Sequence, residues 1–118
     1  MRIIILALAL FSVAANAQVA TNRKYKDVTD YIHKLAVKYP QTTEVMSIGF
    51  SNGGVAIEGL KIGNGPIKNL VVGTHHGNEY GSTEVALGFA EYVAKTLVKD
   101  QTVYVIPVLN ISGYNLNR

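Results

Sequence analysis

An α/β fold, built on a partial, mixed and largely parallel sheet with flanking helices, is what this sequence predicts, and three patterns carry that expectation. Two stretches, Asn22–Tyr39 and Glu79–Lys99, place apolar residues at helical spacing. Two β-rich runs, Thr42–Phe50 and Val55–Ile62, are separated by Ser51-Asn52-Gly53-Gly54, turn chemistry that joins hairpin strands. Lastly, an apolar run, a helical pattern and a second apolar run succeed one another between Ile67 and Leu109. That order reads as a βαβ unit, with parallel strands and a right-handed crossover.

The amino terminus stands apart from this pattern. Arg2, the apolar run Ile3–Val13 and the small residues Ala14-Ala15-Asn16-Ala17 have the three parts of a secretory leader, with cleavage expected after Ala17. The run is shorter than the roughly 20 residues a membrane span needs. Residues 1–17 are therefore expected to be a signal peptide and 18–118 the folded portion. The protein would be exported, periplasmic or secreted, with no membrane association after processing. Its formal charge of +3 is spread without a Lys/Arg block, which gives no surface for nucleic acid. With no cysteine, the chain has neither a disulfide framework nor a lipid-anchoring thiol, and must rest on a packed core.

Along the first helix, Tyr25, Val28, Tyr31, Ile32, Leu35, Ala36 and Tyr39 form the apolar stripe, and Pro40 ends it. His33 lies off that stripe and reads as a solvated surface histidine. In the second hairpin run, Val55, Ile57 and Leu60 interleave imperfectly with Ala56, Glu58 and Lys61, so at least one sheet face should be wet. Gly63-Asn64-Gly65-Pro66 is loop chemistry. Ile67–Thr74 carries Leu70-Val71-Val72 in near-continuous apolar form and is expected to be buried on both faces. The next helix presents Val85, Ala86, Phe89, Ala90, Val93, Ala94, Leu97 and Val98 as a wide apolar stripe, with Glu91 and Lys95 as an i,i+4 pair. Thr102–Leu109 is again strand-like, and Asn110-Ile111-Ser112-Gly113 suits an ordinary turn.

Chemistry concentrates between the two parallel runs, at His75-His76-Gly77-Asn78-Glu79. Residues three apart share a face at a helix start, so His76 and Glu79 can reach one ion while His75 points elsewhere. Imidazole and carboxylate are zinc ligands, and a catalytic zinc needs three protein donors with a fourth position open. Gly77, lacking a Cβ, permits a sharp turn and leaves room for a substrate. The plainer alternative is a solvated helix start, with Glu79 favoured by the helix dipole. Ligands in open α/β sheets bind beyond the carboxyl ends of parallel strands, which is where His76, Glu79 and the segment Asn110–Arg118 all fall.

Taken in order, these residues resemble the amino-terminal part of the M14 family of zinc carboxypeptidases. The resemblance rests on Lys38-Tyr39-Pro40 closing a helix, Ile48-Gly49-Phe50-Ser51 and Leu60-Lys61-Ile62-Gly63 ending strands, His76-Gly77-Asn78-Glu79, and Asn110-Ile111-Ser112-Gly113 in place of Asn-Pro-Asp-Gly. It covers Tyr25 to Arg118 and implies a metallocarboxypeptidase that uses Zn2+ to hydrolyse the bond to the last residue of a peptide with a free C-terminus. His76 and Glu79 would be metal ligands, and Arg118 the arginine that steadies the oxyanion; Asn117-Arg118 also resembles the family's Asn-Arg pair that binds the substrate's terminal carboxylate, but the short distance from Gly113 favours the first assignment. Asn78, where some members carry a substrate-contacting arginine, and Asn110 would face the substrate. In the family, the third zinc ligand and the general base come later than the position of Arg118, so an incomplete and poorly active site is expected. Two other readings compete: a related zinc amidohydrolase of N-acyl amino acids, and a non-catalytic exported remnant that binds a metal or a partner.

Overall fold

The structure, a computed structural model, describes residues 23–118. The expected signal peptide lies outside the described residues, and no described helix is long and apolar enough to cross a membrane. Helix α1 spans Tyr25–Lys38; strands β1 and β2 span Thr43–Phe50 and Ala56–Gly63; β3 covers Ile67–Val72, α2 Tyr80–Thr96, β4 Gln101–Ile106 and α3 Ile111–Leu116.

Local chemistry explains the ends of α1. The Asp27 carboxylate accepts the Lys24 amide at 2.7 Å, satisfying one of the donors a helix start leaves orphaned. At the far end Tyr39 leaves the helical region before Pro40. Between them Val28, Ile32 and Leu35 bury one face. Tyr25 ties this helix to the sheet: its hydroxyl donates to Ala56 O at 2.8 Å and accepts the Glu58 amide at 2.7 Å. His33 lies on the exposed side, 2.9 Å from Glu58 Oε2, as a surface position should.

The four strands form one sheet in the order β1-β2-β4-β3. β1 and β2 make the expected antiparallel hairpin, with an irregularity between Ser47 and Phe50. β4 inserts beside β2, antiparallel to it, and pairs in parallel with β3 on its other side. The sheet is thus mixed, with β3–β4 its parallel pairing and the hairpin supplying the antiparallel ones. Gly63, at a φ of 81°, makes the exit from β2 in a conformation that a side chain disfavours.

One expectation is corrected here. β3 is not buried on both faces: hydrogen-bonded only to β4, it stands at an edge of the described sheet, and Ile67 to Leu70 are exposed. The strand buried on both faces is β4, flanked by β2 and β3. The helices cover the sheet face of Leu60, Ile62, Val103 and Val105, against which Leu35, Ala86, Ala90, Val93 and Ala94 pack. A second cluster joins the start of α1, the start of α2 and α3 through Tyr25, Val28, Ile32, Tyr80, Leu87, Val108, Ile111 and Tyr114. Through Tyr80 it adjoins the β3–α2 loop.

Candidate metal centre

β3 ends at Val72, and its partner continues the pairing beyond it. Gly73 donates to Ile106 O at 2.8 Å, Leu109 donates to Gly73 O at 3.1 Å, and Asn110 donates to Thr74 O at 3.0 Å. These bonds bring residues 73–79 and 109–118 together at the carboxyl ends of the parallel strands, as the βαβ reading requires.

Thr74 then takes a φ of 52°, left-handed for a β-branched residue and costly by about 1–3 kcal/mol where nothing compensates it. The turn it makes sends the chain through His75-His76-Gly77-Asn78 into α2. Glu79 is the helix N-cap; its amide donates to His76 O at 3.1 Å. The Glu79 side chain folds back, with Oε2 accepting the His76 amide at 3.1 Å and Oε1 lying 3.0 Å from His76 Nδ1. Because an ionised carboxylate only accepts, Nδ1 donates in that bond in the metal-free chain, and its proton would have to leave before this nitrogen could bind an ion. The His76 side chain, then the His76 amide, hold the Glu79 carboxyl below its usual range, so it is ionised at neutral pH.

The donors present suit zinc. Nitrogen and oxygen ligands about 2.0–2.2 Å from a tetrahedral centre stand roughly 3.3–3.5 Å apart. The 3.0 Å between Nδ1 and Oε1 is within a few tenths of an ångström of that spacing. Side-chain exposure of 81% at His76 and 45% at Glu79 leaves the pair open to a cation and a substrate. Among the described residues no group of three or more His, Cys, Asp or Glu side chains gathers, so the pair stands without a third donor of these types beside it.

The remaining predicted site residues are placed with different degrees of involvement. His75 lines a shallow groove with Phe50, Asn52, Asn110 and Ile111. Asn78 is exposed on the loop. Asn110 caps α3, its Oδ1 accepting the Gly113 amide at 2.9 Å; the segment expected to be an ordinary turn is a short helix. Arg118 is exposed, and its amide donates to Gly113 O at 3.0 Å. A Cβ on Gly77 would collide with backbone atoms of Gly113 and Arg118. The room that Gly77 leaves is therefore filled by the chain's own last turn, and its φ is not positive: the expectation of space for a substrate at this residue is corrected.

Sequence reasoning missed the support below the loop. Tyr80, next to Glu79, is buried, stacks at a tilt on Tyr114 with centroids 5.1 Å apart, and donates to Asn117 Oδ1 at 2.6 Å. A tyrosine directly after His-x-x-Glu was the available signal.

The zinc carboxypeptidase family model (Peptidase_M14) matches residues 28–118. Among solved structures, the chain is similar to bovine thrombin-activatable fibrinolysis inhibitor in complex with tick carboxypeptidase inhibitor, at a TM-score of 0.68 and 23% identity, covering 79% of this chain and 32% of that one. Carboxypeptidase A from Helicoverpa armigera matches at a TM-score of 0.66 and 22% identity, over 78% of this chain and 25% of that one. A metallo-carboxypeptidase from Burkholderia cenocepacia matches at 0.58 and 18%, over 79% and 28%. At such identities these structures establish the fold, and the chain spans about a quarter to a third of their length. With most of the described chain inside the family match, the protein belongs to the M14 family of zinc carboxypeptidases.

Proposed function

We propose that this chain is exported and contributes half of a zinc site for carboxypeptidase chemistry, the release of the last residue from a peptide with a free C-terminus. The observation that supports this most is the approach of His76 Nδ1 to Glu79 Oε1 at the open end of a parallel strand pair. His76 and Glu79 would hold the ion. Bound zinc supplies a Lewis acid that polarises a carbonyl and acidifies a water. The chain's own residues do the rest of what this half-site offers. Glu79, kept ionised by His76, presents a charged ligand without a proton to lose. Arg118, whose backbone adjoins Gly77, would place a permanent positive charge near the developing oxyanion. Asn78 and the Asn110 amide nitrogen would donate to peptide carbonyls.

Two donors bind zinc less firmly than three, and no described residue is positioned as a general base. The chain alone should therefore bind zinc measurably and turn over little. Calorimetric titration with zinc is expected to show affinity in the wild-type chain that falls at least about tenfold in His76→Ala and in Glu79→Ala. Equal affinity in all three proteins would remove the site. With zinc present, a peptide with a free carboxyl end and its blocked counterpart should both survive incubation; robust cleavage of the free one would show the half-site reading to be wrong.

A further inference from the structure

His76 and Glu79 are exposed, so side-chain packing does not hold them where they meet. Beyond the bonds the pair makes to itself, their convergence rests on the backbone at the two ends of the loop, and both ends are fastened to one cluster of hydroxyls. Thr74 and Thr83 are 1% and 0% exposed, and their hydroxyls share a short hydrogen bond. Ser82 Oγ accepts the Thr74 amide at 2.8 Å and lies 3.2 Å from Thr74 Oγ1. The same Ser82 hydroxyl donates to Glu79 O at 2.7 Å, and Thr74 Oγ1 approaches that carbonyl at 3.4 Å. Strand end, helix start and the Glu79 backbone are thereby one hydrogen-bonded unit, and it keeps Thr74 in its left-handed conformation.

We infer that Thr74, with Ser82 and Thr83, is a positioning clamp that sets the His76–Glu79 geometry in advance of metal binding. This rests on the zinc-site reading above. A preset pair loses less freedom on capturing a cation than a loose one, and supporting groups of this kind typically change metal affinity by about 10–100-fold. The threonine hydroxyl is the feature tested, because a residue of equal shape without it leaves the buried Thr83 hydroxyl short of a partner and withdraws the approach to Glu79 O, while the Thr74 amide still reaches Ser82.

The test uses the full chain and three variants. Thr74→Val keeps the shape and removes the hydroxyl; Thr74→Ser keeps the hydroxyl; Val105→Ala loosens the remote core at a fully buried position. Zinc affinity by calorimetry should fall about tenfold or more in Thr74→Val. It should return to within about twofold of wild type in Thr74→Ser, and stay unchanged in Val105→Ala despite a lower Tm. Amide hydrogen exchange, read without metal, should show faster exchange at His76 and Glu79 in Thr74→Val only. Unchanged exchange at those amides in Thr74→Val, or equal losses of affinity in Thr74→Val and Val105→Ala, would overturn the clamp. If the wild-type chain bound no zinc, the functional reading would fail while the exchange measurement still decided the clamp.

Discussion

Tyr31 donates its hydroxyl to Glu91 Oε2 at 2.6 Å, joining α1 to α2 through two groups that carry opposite preferences for a proton. Burial first, and then the bond to Glu91, push the phenol up to about 12 from its ordinary 10. Tyr25 and Tyr114 are raised as well, chiefly by burial. The sign follows from linkage: the unfolded chain loses these protons near pH 10 while the folded chain retains the Tyr31 proton to about 12. Their contribution is complete below pH 10 and declines as pH rises through that interval. Thermal unfolding followed from pH 9 to 12 should show Tm falling more gently in Tyr31→Phe than in wild type; parallel curves would mean that the phenol titrates alike in both states. At this scale the sequence was partly readable. His-x-x-Glu announces itself because its residue types are rare and its spacing is chemical, whereas Thr74 and Thr83 carry no pattern that separates a buried hydroxyl from a solvated one.

Helix α2 shows where a whole element resists reading. Its sequence is apolar on two sides, so spacing alone leaves its rotation open. Ala86, Ala90, Val93 and Ala94 face the sheet and Leu87 the second cluster, while Val85 is 73% and Tyr92 67% exposed. The expected stripe, which included Val85 and Phe89, is corrected accordingly: alanines at three inward positions let the helix sit close on the strands, and the larger residues are left outside. Val93→Ala should cost about 2 kcal/mol, two buried methyls at roughly 0.8 kcal/mol each plus the space left behind. Val85→Ala should stay within about 0.5 kcal/mol of wild type. Urea unfolding of the two variants decides the rotation, and the opposite ranking would reverse it. The other elements divide on similar grounds. α1 and the hairpin were legible because a single stripe and a glycine-rich turn each admit one arrangement. β3 was misjudged because a continuous apolar run does not say how many neighbours a strand has. α3, six residues containing Gly113, is too short for periodicity to register, although Asn110 three residues before that glycine is a cap in the right place.

Across the molecule, α1 and α2 lie against one face of the sheet, and the other face remains partly bare among the described residues. Leu70, in register with Tyr104 on β4, alternates with the inward-facing Val71 and therefore lies on that second face, 63% exposed. It also belongs to the strand whose outer edge is unpaired in the described sheet. Both features favour contact with another chain: an unpaired edge is a template for strand addition, and an exposed leucine beside it supplies apolar area. The isolated chain should accordingly associate with itself as concentration rises. A lysine at Leu70 opposes both routes, since a charge at an edge strand must be desolvated before a second strand can pair there. Sedimentation velocity over a range of concentrations should show Leu70→Lys remaining monomeric further than wild type. Its unfolding free energy should stay within about 0.5 kcal/mol, because the replaced side chain is mostly in water already. Val85→Lys, placed on the outer side of α2, separates this from a general effect of added charge. If it suppresses association while Leu70→Lys does not, the sticky surface is the helix and not the sheet, and the edge of β3 is already protected by its own short length.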